Sequence, residues 1–267
     1  MTVREIASPA NPLIKSVKAL HLKKRREETG LFLAEGARIV MEGFDCGFAP
    51  KTLIYARTAR DSDIVEKLRS RTIKAGGEAA EVSEGALAKI ARKDNPQSVV
   101  GVFEQRYRPL PELNSKSAAI WVALEGVKDP GNLGTVIRTA DAVAAGGVIL
   151  VGDTCDPFSV ESVRATMGSI FAVAIFRASL IEFLALSRDW PGLAVGTALQ
   201  TETDYRSVDY ATPTLLVMGA EQSGLSDAAR SACGALVRLP MKGRADSLNL
   251  AVSAGVMLYH IASAHER

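Results

Sequence analysis

Polar residues and glycines gather at three places where an apolar run gives way to a helical pattern. The last of them closes the chain. Ala235-Leu236-Val237-Arg238-Leu239 reads as a buried strand, and Pro240 stops it because it brings no backbone N–H to a ladder. Lys242-Gly243-Arg244-Ala245-Asp246 is a polar loop whose glycine is free to take positive φ. Ser247 is placed to cap the helix that follows, on which Leu248, Val252, Val256 and Tyr259 share one face. Such a turn suits a small ligand that needs close approach to backbone amides, and an ordinary connection between strand and helix would read the same way. Earlier, Asp129-Pro130-Gly131 signals a turn, and a helix runs on from about Leu133. Asn132 stands at its start and Arg138 about two turns along. By themselves these are a cap and a surface cation. Between the two regions, Leu215-Leu216-Val217-Met218 ends in a loop bracketed by Gly219 and Gly224 that carries Glu221, and Ser226 caps a short helix.

These turns need a frame. Apolar runs at Ala119–Leu124, Gly147–Val151, Phe171–Phe176, Leu193–Gly196, Thr214–Met218 and Leu236–Leu239 predict six strands, with helical patterns between most of them. Continuous apolar strands fit a sheet covered on both faces, so the fold class is α/β with a mostly parallel sheet. The front of the chain predicts a smaller α/β domain. Its helix over Leu13–Glu28 ends in the cations Lys23, Lys24, Arg25 and Arg26, which suit phosphates as well as a helix C-terminus. A strand at Gly30–Gly36, a helix from Ala37, a strand at Thr52–Tyr55 and a helix over Asp61–Ala75 with Ile64, Leu68 and Ile73 inward follow. A short helix capped by Ser83 and a strand at Ser98–Phe103 complete it. Arg106 to Ser117 holds two prolines and no periodicity, and reads as a linker. The expected division is therefore a first domain over 1–105, a linker over 106–117 and a second domain over 118–267.

Composition excludes several classes. The 267 residues are 47% apolar and 23% charged, ordinary for a soluble chain with a real core. No apolar run is long enough for a membrane span, and the start lacks the apolar stretch of a signal peptide. Cys46, Cys155 and Cys233 are too few and scattered for a disulfide framework or a zinc site, so no metal is expected and a reduced cytoplasmic compartment is the simplest reading. The net charge of +2 is unevenly spread: residues 1–110 hold 20 Lys and Arg against 14 Asp and Glu, and residues 111–267 hold 12 against 16. The basic front points to a polyanionic partner, with a solvated surface as the plainer alternative. No Walker-type phosphate loop occurs, and no G-x-G-x-x-G follows the first strand of the second domain.

The three turns together resemble the signature motifs of the SpoU/TrmH family, in order: N-x-G-x-x-x-R-T-A from Asn132, G-x-E-x-x-G-L from Gly219, and L-P-M-x-G-x-x-x-S-L-N-x-x-x-S-A from Leu239. The resemblance covers about 118–267. The run N-P-L-I-K, the basic patch and F-L-A-E-G resemble, more loosely, the amino-terminal substrate-binding domain found in many of these enzymes, which is related to ribosomal proteins. The resemblance implies a trefoil knot, a homodimer with sites at the subunit interface, and methyl transfer from S-adenosylmethionine (AdoMet) to a ribose 2′-hydroxyl of structured RNA. By analogy ribosomal RNA is favoured over transfer RNA. Base methylation and a non-catalytic RNA-binding protein of the same fold are the alternatives. It further implies that Arg138 acts on the 2′-hydroxyl, as base or as electrostatic stabiliser, and that Asn132, Glu221 and Asn249 orient the site. Gly219, Leu239, Met241, Gly243, Ser247 and Leu248 would hold the cofactor. Arg164, in a segment resembling R-A-S-x-G-A, would meet substrate phosphate or pair with an acid.

Overall fold

The computed structural model describes residues 3–92 and 97–266. The chain divides into two compact units, one built from 1–105 with 156–171 and the other from 106–155 with 172–267. The second unit is thus not the contiguous block 118–267 that the sequence predicts: residues 156–171 leave it and complete the first.

In chain order the elements of the first unit are β1 (Arg4–Ile6), α1 (Pro12–Ala19), α2 (Lys23–Thr29), β2 (Leu31–Glu35), α3 (Ala37–Asp45), β3 (Thr52–Ala56), α4 (Asp63–Lys74), β4 (Glu78–Val82), α5 (Glu84–Ala91) and β5 (Val99–Glu104). The chain then builds β6 (Ile120–Glu125), α6 (Pro130–Ala142) and β7 (Val148–Val151) of the second unit. It returns to the first with α7 (Val160–Thr166) and ends in the second with β8 (Ile175–Ala178), α8 (Leu180–Arg188), β9 (Leu193–Thr197), β10 (Thr214–Met218), α9 (Asp227–Ala232), β11 (Ala235–Val237) and α10 (Leu250–His265).

The first sheet runs β1-β4-β3-β5-β2, with β5 antiparallel to both neighbours. The short strands β1 and β4 carry too little apolar alternation to be read from sequence. The single helix expected over Leu13–Glu28 is two. Asn11 accepts from the Leu13 N–H to start α1, and Gly30 at φ 66° ends α2. At the break the carbonyls of Leu20 and His21 accept from the Arg26 guanidinium, at 2.8 and 3.0 Å. In α4 the inward residues are Val65, Leu68 and Thr72, and Ile64 is exposed, so that helix is rotated from its expected setting. The segment 156–171 enters the core through rings: Phe158 stacks on Phe32 at 4.9 Å and Phe171 on Phe103 at 4.7 Å between centroids. Asp156 and Arg26 form a buried ion pair at 2.7 Å.

The second sheet is parallel throughout, in the order β11-β9-β10-β6-β7-β8. Its strands are the six expected, with β8 beginning at Ile175 rather than Phe171. The stretch 106–117 is not a loose tether. Arg108 N–H donates to the Ile175 carbonyl at the edge of β8, Leu110 and Leu113 pack on the core, and the Trp121 indole donates to the Ser115 carbonyl. Among the described residues no helix is long and apolar enough to cross a membrane, and no disulfide joins Cys46, Cys155 and Cys233.

Candidate active site

All three motif turns lie at the carboxyl ends of parallel strands, where open α/β sheets bind ligands. Asp129 caps α6 by accepting the Asn132 N–H at 2.6 Å, with Pro130 at the first helical position. Asn132 is therefore in the first turn and its side chain is spared for other work. Its Nδ2 donates to Glu221 Oε1 at 2.9 Å, and its Oδ1 accepts from Asn249 Nδ2 at 2.9 Å. Asn249, not Ser247, is the cap of α10, its Oδ1 accepting the N–H groups of Ala251 and Val252. One amide–amide–carboxylate chain thus ties together residues 117 and 89 positions apart in sequence.

A cavity of about 450 Å³ opens beside this chain, within the range of small-molecule sites. Gly219, Glu221, Leu239, Met241, Ser247, Leu248 and Asn249 line it. Gly219 is required by close approach: a Cβ there would lie 2.0 Å from the Gly224 carbonyl carbon. Gly243 does not line the cavity, has no neighbour within 4 Å of a built Cβ and does not take positive φ. The chain turns through exposed residues there, outside the cavity lining. Thr197–Gln200 after β9, Arg230 on α9 and Ser253 also line the cavity. Sequence spacing offered no sign of Thr197–Gln200, because β9 comes beside β10 only through strand order, whereas Ser253 is the serine near the end of the third motif. Near the β9 end, burial pushes the Cys233 thiol up to about 12, so it remains a thiol and not a nucleophile.

Residues 119–259 match the SpoU rRNA Methylase family. The chain belongs to that family. Residues 11–101 match the MRM3-like substrate binding domain. The Bacillus subtilis 23S rRNA (guanosine(2553)-2′-O)-methyltransferase RlmP is 30% identical, over 97% of this chain and 99% of its own. An AdoMet-bound rRNA methyltransferase from Sinorhizobium meliloti superposes with a TM-score of 0.90 at 47% identity, covering 98% of each chain. The SpoU methyltransferase AviRb from Streptomyces viridochromogenes, in complex with AdoMet, gives 0.84 at 28% identity over 96% of this chain and 98% of its own.

In this SpoU chain Arg138 is exposed and does not line the cavity. Six residues separate it from Asn132, which turns it about 120° around α6. The apolar stripe of α10 also departs from expectation. Leu250, Ala251, Ala254, Met257, Leu258 and Ile261 face the core, while Leu248, Val252, Val256 and Tyr259 are 41, 53, 37 and 59% exposed. Both faces of α10 are apolar, so spacing alone could not say which is buried.

Two cations of the first unit have internal partners. The Arg26 side chain is 4% exposed and spent on Asp156 and two carbonyls, so it is not available to phosphate. Arg164 Nε donates to the buried Glu35 carboxylate at 3.0 Å, the pairing with an acid that was one of its two readings. Lys23, Lys24 and Arg25 remain at the surface, beside Glu27 and Glu28. Among the described residues no cluster of His, Cys, Asp or Glu is arranged to hold a metal.

Proposed function

We propose that this protein transfers the methyl group of AdoMet to a ribose 2′-hydroxyl of structured RNA, with ribosomal RNA as the substrate class. The observation that carries this is the Glu221–Asn132–Asn249 chain, which joins the three motif turns at the rim of the cavity. Two relatives that span most of the chain act on 23S rRNA by name, which favours that substrate over transfer RNA.

The cavity residues fit the cofactor. Leu239, Met241 and Leu248 offer apolar walls, Ser247 a hydroxyl, and the turns at Gly219 and Leu239 their peptide groups. AdoMet supplies an activated methyl group when bound. The chain must then align a ribose oxygen with it and stabilise the charge left as the hydroxyl loses its proton. Glu221, fixed through Asn132, orients groups at the rim, and Asn249 couples that geometry to the start of α10. Arg138 stabilises the developing alkoxide with a fork of donors.

We further read the working form as a homodimer. The exposed stripe of α10 and its packing along α6, which carries Arg138, support an interface that presents this arginine to the partner subunit's cavity. The resemblance supports a knotted second unit, and so does the return of α10 from edge strand β11 to pack over β6 and β10. Three cysteines without a disulfide support a cytoplasmic location. The first unit carries the RNA.

The test is transfer from methyl-labelled AdoMet to 23S rRNA and transfer RNA transcripts, followed by digestion to nucleosides. Label in a 2′-O-methylnucleoside from the ribosomal transcript is expected. Label on a base, on transfer RNA alone, or on neither would overturn the reading.

A further inference from the structure

The four adjacent cations at 23–26 are the obvious place for RNA to dock, and the structure discounts them. Arg26 is buried. Lys23 lies 3.9 Å from Glu27, Lys24 3.9 Å from Glu28, and Arg25 2.6 Å from Glu28. Their field is largely offset within one helix.

A second group of cations in the same unit is not offset. Helices α1 and α5 pack together, and the bond between His21 Nε2 and the Ile90 carbonyl, 2.7 Å, brings their C-terminal ends side by side. Lys15 and Lys18 project from α1, and Lys89 and Arg92 from the end of α5; all four are exposed. None forms an ion pair among the described residues, where the salt bridges engage other cations. Among the described residues, the acidic groups near them include Glu84, at the opposite end of α5 and accepting the Thr58 N–H, and Glu35 and Glu161, within electrostatic range of His21, of which Glu35 is paired with Arg164.

A structural reading covers part of this. Lys18 and Lys89 lie in last turns, where helix dipoles favour a cation. It does not cover Lys15, one turn earlier, and at Arg92 it accounts for the charge but not for the backbone. Arg92 takes φ 53° at the C-cap of α5, a left-handed position that ordinarily goes to glycine or asparagine. A long charged side chain there is held against backbone preference. Like charges on adjoining helix ends repel one another, and a polyanion relieves that.

We propose that the α1–α5 face, through Lys15, Lys18, Lys89 and Arg92, is the main phosphate-contacting surface for the RNA backbone, and that the 23–25 cluster is not. The proposal rests on the reading of the protein as an RNA methyltransferase. The face charges are sequence-blind, so they set affinity and salt dependence and leave the choice of nucleotide to the second unit.

The test is filter binding of a labelled 23S rRNA transcript across a potassium chloride series. One variant combines Lys15→Ala, Lys18→Ala, Lys89→Ala and Arg92→Asn, the asparagine tolerating the left-handed position. A second combines Lys23→Ala, Lys24→Ala and Arg25→Ala. The first should lower the slope of log affinity against log salt by about three, near one released ion per lost contact. The second should change it by less than about one. AdoMet affinity, by calorimetry, should be unchanged in both. A wild-type slope in the first variant, or a greater loss in the second, overturns the α1–α5 assignment and leaves the methyltransferase reading standing. Wild-type protein that binds AdoMet but shows no salt-dependent RNA binding overturns both.

Discussion

Arg138 reaches past the surface of α6 without an ion pair or hydrogen bond among the described residues, and stands apart from the cavity that the other motif residues line. A group placed to act on the acceptor and not on the cofactor should show that split when removed. Arg138→Ala is expected to keep AdoMet affinity within a few-fold while single-turnover methylation falls by roughly 10²–10³, the scale for losing one donor to a developing oxyanion. Arg138→Lys should recover only part, because a point charge lacks the planar fork. Near-normal turnover in Arg138→Ala would remove it from the mechanism. Gly219 makes the opposite prediction. A methyl group there must push on the backbone of Gly224 and Leu225, at 2.0 to 2.2 Å. Overpacking of about 1–3 kcal/mol, felt at the cofactor turn, corresponds to a loss of about 5- to 150-fold in AdoMet affinity for Gly219→Ala. Gly243→Ala, facing open space, should titrate like wild type. Equal effects at the two glycines would move the cofactor elsewhere.

At the scale of elements, the break between α1 and α2 and the returning segment are held by the same side chain. The Arg26 guanidinium satisfies two carbonyls and Asp156 at once, with the pair 4 and 6% exposed. Removing one member leaves the other charged and buried. Arg26→Ala should therefore destabilise the protein by about 3–5 kcal/mol in chemical denaturation, whereas Lys23→Ala should stay within about 0.5 kcal/mol. Similar values for both would return Arg26 to the surface cluster. The outward stripe of α10 carries a different expectation. Val252→Glu with Tyr259→Glu places charge on an apolar face that the core does not use. Sedimentation should show a dimer for wild type and a monomer for the double variant. The monomer should still bind AdoMet but lose methyl transfer, since the partner's arginine is gone. A wild-type monomer that is fully active would end the dimer reading.

For the molecule as a whole, the unit boundaries do not follow the chain. Phe158 and Phe171, contributed by residues 156–171, close the aromatic cluster of Phe32 and Phe103. A fragment ending at Gln105 would leave those rings exposed. It should melt lower and bind a hydrophobic dye more strongly than the same fragment with 156–171 attached through a flexible linker. Equal melting would mean that the first unit is complete without the segment.

The three motifs, their order, and the alternation of strands and helices were legible in the sequence because each is a local pattern: a cap, a turn, a run of fixed period. The six strands of the second sheet follow from that, whereas Gly219, Leu239, Met241, Ser247 and Leu248, which line the cavity, were pointed to by the resemblance and not by spacing. Other features depended on partners far along the chain. Ser247 and Asn249 are equally good caps by type, and only the N–H groups of Ala251 and Val252 donating to Asn249 Oδ1 show which one starts α10. The stripe of α10 was legible as a face but not as an inward or outward one, since a helix apolar on both sides presents two candidates. Arg26 was one of four identical-looking cations until Asp156 came to meet it across 130 residues. Burial and ion pairing are set by what the rest of the chain brings near a side chain, and local spacing holds no record of that.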